Sequence, residues 1–174
     1  MRTVVPMLII SGSLGSGKTT VLYGSSRSAG RGLREAHATI DLDWLSIMYP
    51  PQGQFGERLM FANLAAVWRV NAAAGAERLL AARVVENRSA LDEYRQAVPG
   101  AEPVVCRLTA SIEMMRERLR TRDSDMGQSW QIARSETLAA ILEHAQAEDF
   151  IVDNDRGRSI TDVAREVLSR AGWL

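Results

Sequence analysis

"MLIISGSLGSGKTTVL", residues 7–22, sets four apolar residues before a glycine-rich turn and a helix-forming run. Within it, Gly12, four intervening residues, Gly17, Lys18 and Thr19 have the spacing of a loop that cradles nucleotide phosphates. Leu8-Ile9-Ile10 read as the strand entering that loop, and Thr19-Thr20-Val21-Leu22 as the helix leaving it. Gly12, Gly15 and Gly17 let the backbone turn its N–H groups inward and approach phosphate closely. The helix start adds its positive end. Gly12, Ser13, Leu14, Gly15, Ser16, Gly17, Lys18, Thr19 and Thr20 are therefore the expected nucleotide cradle. ATP or GTP fits it, and ATP is the expected cofactor. Lys18 should reach the β- and γ-phosphate oxygens, and the Thr19 hydroxyl should bind Mg²⁺.

Composition sharpens one residue of that loop. The 21 basic residues are 20 arginines and one lysine, and the lysine is Lys18. A coding bias that replaces Lys by Arg wherever chemistry allows makes this exception informative. A planar guanidinium fork does not substitute for a compact ammonium among phosphate oxygens. Acidic and basic residues balance at 21 each, so bulk charge points neither to nucleic acid nor to a membrane surface. The longest apolar run, Val4–Ile10, is interrupted by Pro6 and is too short to span a bilayer. It also lacks the cleavage site of a secretory signal, so a cytoplasmic location is expected. The single cysteine, Cys106, excludes a disulfide framework or a Cys-based metal site.

At 174 residues without repeats or linkers, the chain reads as one domain. Strands are expected at Met7–Ser11, His37–Asp41, Leu79–Val85, Pro103–Leu108 and Phe150–Val152. Helices are expected near 17–29, 57–74, 88–97, 111–122, 130–147 and 159–171. Strands separated by helices imply a three-layer α/β fold, a five-stranded parallel sheet covered on both faces. Ile112, Met115 and Leu119 form an apolar stripe, and Ser159 is a plausible cap for the last helix.

A second constellation is "TIDLDWL", residues 39–45. Asp41 and Asp43 fall at the C-terminal end of the second strand, where open α/β sheets bind their ligands. Asp41 could orient the metal while Asp43 accepts a proton from an attacking hydroxyl. Alternatively, Asp43 caps a helix starting at Trp44.

The loop, this Asp-x-Asp element and the small size together resemble the nucleoside-monophosphate-kinase-like group of P-loop small-molecule kinases. Within that group, the likeness runs closest to adenylylsulfate kinases, with shikimate and gluconate kinases further off. Residues 63–100 are similar to that family's Asn-bearing helix, central strand and Arg-bearing segment. The resemblance implies ATP-dependent phosphorylation of a small-molecule hydroxyl, with Asp43 near that hydroxyl and Asn63 touching the acceptor. That family has an Arg three residues before the Asn, where this chain has Met60. An acceptor less charged than adenylylsulfate, such as a sugar, nucleoside or antibiotic hydroxyl, fits better.

"RERLRTRD", residues 116–123, carries four arginines. Arg116 and Arg120 have Glu113 and Glu117 three residues away, which reads as a salt-bridged helix. Arg118 and Arg122 share another face and are assigned to a lid near 116–130 that stabilises charge on the transferring group, with Gly127 as hinge. Glu86 and Arg88 follow the central strand and either face the acceptor pocket or flank an Asn87 or Ser89 cap. Trp44, Trp68 and Trp130 either line the acceptor pocket or belong to the core.

A nucleotide-dependent NTPase or switch without an acceptor is the rival, and Glu86 is its candidate Walker-B carboxylate. The lack of a basic stretch interleaved with aromatics argues against a nucleic-acid partner. The oligomeric state, a homodimer included, is left open.

Overall fold

The structure is a computed structural model that describes residues 3–29, 36–50, 56–122 and 128–174. Five strands form one parallel sheet: β1 (Val5–Gly12), β2 (His37–Asp41), β3 (Arg78–Ala82), β4 (Ala101–Thr109) and β5 (Phe150–Asp153). Their order is β2-β3-β1-β4-β5, so β1 is central. Ile10 sits opposite both Ala82 and Cys106 in register.

Alternation along the strands creates two cores. Val5, Met7 and Ile9 of β1, with Leu79 and Ala81 of β3, point to one face. Leu8 and Ile10, with Leu80 and Ala82, point to the other. Strands covered on both sides must be apolar at every position, which is why these runs show no polar alternation. The first face is covered by α2 (Glu57–Ala73) and α3 (Leu91–Ala97), through Met60, Leu64, Trp68, Leu91 and Tyr94. The second is covered by α1 (Lys18–Ala29) and α6 (Ile160–Arg170), through Val21, Leu22, Val163, Ala164, Val167 and Leu168. Ser159 caps α6, its hydroxyl accepting from the Asp162 N–H at 3.1 Å. The expected three-layer α/β fold is the observed one.

Several expected boundaries shift by a few residues, and two of the shifts bear on the site. β3 ends at Ala82 rather than Val85, because its neighbour β2 ends at the paired Asp41. Beyond that point Arg83 N–H still donates to Ile10 O, but Val85 N–H turns to the Ser11 side chain. The helix expected at 88–97 opens with a 3-10 turn, Arg88–Ala90, capped by the Asn87 carboxamide oxygen.

The remaining helices, α4 (Ile112–Arg122) and α5 (Gln128–Ala145), pack on one another beside the glycine-rich loop. Met115 and Leu119 are buried as the stripe requires, whereas Ile112 is exposed. Arg116 does not stay within its helix but binds Glu136 of α5, and Glu117 binds Arg156. The chain leaves β1 for β2 and β3 on one side, and later strands fill the other side. The order therefore reverses around the C-terminal end of β1, where ligand crevices form in open sheets. Among the described residues, no helix is long and apolar enough to cross a membrane.

Candidate active site

An open cleft of about 870 Å³ lies over that sheet edge, floored by Gly15, Gly17, Lys18, Thr19 and Thr20. The loop is held from outside by three other segments. The Leu14 carbonyl accepts from the Ser135 hydroxyl of α5 at 2.6 Å. The Ser16 carbonyl accepts from Asn154 Nδ2 at 2.8 Å, and buried Ser13 donates to the Met115 sulfur. Arg118 donates through Nη1 to the carbonyls of Gly15 and Ser16, and through Nη2 to that of Asn154. Burial holds the Arg118 guanidinium below its ordinary pKa, opposed by the charges of Asp155, Glu117 and Asp153.

The same clamp fixes the glycines. At Gly17, with φ +97°, an added Cβ would lie 2.4 Å from Asn154 Nδ2. Gly17→Ala should therefore combine backbone strain with a clash against a buried side chain. It is expected to lower stability by about 1–3 kcal/mol and weaken nucleotide binding. Urea unfolding and ATP titration of the variant check both effects, and a fully stable variant would show the loop to be loosely held.

Lys18 Nζ donates to the carbonyls of Gly12 and Ser13, at 2.9 and 3.0 Å. The lone lysine thus lies folded along the cradle it is expected to serve. Thr19 Oγ1 donates to Asp41 Oδ2 at 2.7 Å. Asp41 is buried, and its other oxygen accepts from Asp43 N–H, capping the 3-10 turn Leu42–Ser46. The capping alternative is corrected here: the cap is Asp41, because Asp43 already stands inside the turn. Asp43 is left free of that duty and turns to the cleft, its side chain 55% exposed.

The partner of Asp43 is one that sequence reasoning missed. Arg83, at the end of β3, places Nη1 2.6 Å from Asp43 Oδ1. Behind this pair Asn63 Nδ2 donates to the Leu45 carbonyl, tying α2 to the turn that carries Asp43. Asn63 therefore serves as a brace for the turn and is not among the residues lining the cleft.

Three further expectations need correction. Arg88 is directed away from the cleft, binding Asp149 and the Ala147 carbonyl. Glu86 pairs with Arg134 of α5 at 3.2 Å, so it neither lines the cleft nor stands beside Thr19. Arg118, expected to meet the transferring group, is instead bonded to the carbonyls of Gly15, Ser16 and Asn154, from a helix whose Met115 and Leu119 are buried. Ser111 caps the start of that helix while bonded to Asp155, whose carboxyl is held low chiefly by the Arg156 N–H. Arg122 ends α4, and its side chain, with the segment 123–127 and the expected hinge Gly127, lies outside the described residues. The tryptophans divide: Trp68 is core, whereas Trp44 and Trp130 line the cleft.

The residues present fit a magnesium nucleotide. A glycine-rich loop on the cleft floor and Lys18 suit phosphate, and Thr19 Oγ1 beside Asp41 offers hard oxygen donors. Among the described residues no group of three or more His, Cys, Asp or Glu could hold a metal. A divalent ion at Thr19 and Asp41 would complete its shell from phosphate and water, as Mg²⁺ commonly does.

Comparison with known proteins gives structural likeness only. No family model matches the chain, and no curated protein does. A gluconokinase from Sinorhizobium meliloti 1021 superposes with a TM-score of 0.63 at 20% identity, covering 99% of this chain and 94% of that one. The tunicamycin resistance protein of Deinococcus radiodurans gives 0.66 at 16%, covering 97% and 96%. A shikimate kinase from Acinetobacter baumannii, in complex with shikimate, gives 0.57 at 17%, covering 97% and 93%. The special closeness to adenylylsulfate kinases expected from the sequence is not shown by these structures. What they share with this chain is its architecture: a five-stranded parallel α/β domain with the fold of P-loop small-molecule kinases.

Proposed function

We propose that this protein is an ATP-dependent phosphotransferase acting on a hydroxyl of a small molecule less charged than adenylylsulfate, such as a sugar, nucleoside or antibiotic. The observation that carries the reading is the division of labour between two carboxylates. Asp41 is buried against Thr19, whereas Asp43 faces the cleft, held by Arg83, on the same wall system as Lys18. ATP with Mg²⁺ would supply the γ-phosphoryl group and neutralise part of its charge. Thr19 and Asp41 would hold the metal, and Lys18 would swing from the loop carbonyls to the phosphate oxygens. Asp43 would accept the proton of the attacking hydroxyl, with Arg83 fixing the direction of its carboxylate. Arg118 would keep the loop amides aimed inward. Catalysis would then rest on positioning and on preset charges.

The likeness to a gluconokinase and a shikimate kinase supports a small-molecule acceptor. Met60 supports a less charged one, because this position of α2 is buried in the core at 1% exposure and offers no cation to an anionic acceptor. Glu86, on which the acceptorless NTPase reading rested, is engaged by Arg134 instead. ADP release should therefore depend on an added hydroxyl compound. A panel of sugars, nucleosides, amino-sugar antibiotics and adenylylsulfate, each assayed against a water-only control, tests this. Steady ADP release in water that no acceptor changes would overturn it.

A further inference from the structure

We infer that the acceptor half of the cleft recognises a flat apolar ring on its substrate, so the acceptor is an amphipathic hydroxyl compound and not a simple polyol or acid. This rests on the phosphotransferase reading and narrows its substrate class. Trp44 directly follows Asp43 and is 68% exposed while lining the cleft. Ile47, one turn further on, is 69% exposed and lines it as well. Trp130, at the start of α5, is 64% exposed on the same cleft. Large apolar groups scattered singly over a surface need no explanation, but three gathered in one cleft do.

They are not left over from a poor core. The two cores are filled by other buried residues, which include the remaining tryptophans, Trp68 and Trp173. Trp44 also lies in a well-fixed element, since its turn is capped by Asp41 and braced by Asn63 and Ser46. An indole on a fixed backbone has only two side-chain torsions to order on binding, which suits it to stack against a ring.

Charge on this side agrees. Asp43, the carboxylate beside Trp44, is matched by Arg83, so the wall around it presents a paired charge next to exposed aromatic faces. An anionic acceptor that turned to Arg83 would have to break this pair. A neutral ring-bearing molecule would cover the indoles while presenting its hydroxyl to Asp43, the residue next to Trp44.

Calorimetric titration in the presence of ADP and Mg²⁺ tests this with matched pairs: phenyl against methyl β-D-glucoside, and uridine against ribose. In at least one pair the ring-bearing member should bind about tenfold or more tightly, the scale of one stacked ring. Trp44→Ala should reduce that advantage to about threefold or less, while Trp44→Phe retains most of it. Equal affinities within both pairs, including no binding by any member, would overturn the inference. So would an advantage that survives both Trp44→Ala and Trp130→Ala. Binding of ADP itself monitors the nucleotide site. If ADP fails to bind, the phosphotransferase reading falls; if ADP binds and the rings confer nothing, only this inference falls.

Discussion

Asp43→Ala should lower turnover by about 10²–10⁴ while ATP affinity stays nearly unchanged, because a proton-accepting side chain contributes on that scale. The structure makes the two effects separable. The carboxylate of Asp43 bonds to Arg83, whereas Thr19 and the backbone of the turn depend on Asp41. Truncating Asp43 therefore removes a group from the acceptor side and leaves the metal-side oxygens in place. Arg83 loses an ion-pair partner, but Asp43 is more than half exposed, so water can replace much of the lost interaction and the fold should survive. Single-turnover ADP formation and an ATP titration by fluorescence would be measured on the same preparation. A collapse of ATP affinity with Asp43→Ala would make Asp43 a metal or structural residue. Unchanged turnover would remove it from the chemistry altogether.

What was legible beforehand follows from how each feature is encoded. The sheet was readable because the middles of β1, β3 and β4 are buried on both faces and so carry apolar runs, Met7–Ile10, Leu79–Ala82 and Pro103–Cys106. The loop was readable because backbone geometry there demands glycine at fixed positions. Asp41 and Asp43 were both located by their place after β2, yet which of them caps depends on whether the turn starts at residue 42 or 44. One residue of offset exchanges their roles.

Arg83 was missed because Val84 and Val85 extend the apolar run and conceal where the strand stops pairing. With β3 ending at Ala82, the first residue past the strand is Arg83, ahead of Glu86 and Arg88. Topology places residues at a sheet edge but does not give the direction of a side chain, and Glu86 and Arg88 point elsewhere. Asn154 and Arg118 act through backbone carbonyls of the loop, and carbonyls leave no mark on sequence. Helical spacing, likewise, does not distinguish buried Trp68 from exposed Trp44 and Trp130.

Lys18→Arg should lower turnover by about 10²–10³, the usual scale for losing one preset charge donor at a reacting centre. The substitution keeps the positive charge, so its cost measures shape alone. Every other basic position in this chain is already arginine, and Lys18 is the single exception. The geometry explains why. The ammonium sits between two loop carbonyls at 2.9 and 3.0 Å, and the loop around it is tightly packed. A Cβ added at Gly12 would meet Ser16 Oγ at 2.5 Å and the Leu108 carbonyl at 2.7 Å, so the loop has little freedom to widen around a larger head group. A guanidinium is planar and forked, which favours two parallel bonds to one group over a compact point charge shared among phosphate oxygens. Thermal unfolding should change little, since the side chain is only part-buried, while ADP formation falls. Near-normal turnover by Lys18→Arg would mean that the site requires only a positive charge, and the exclusion of arginine from this one position would then have no catalytic cause.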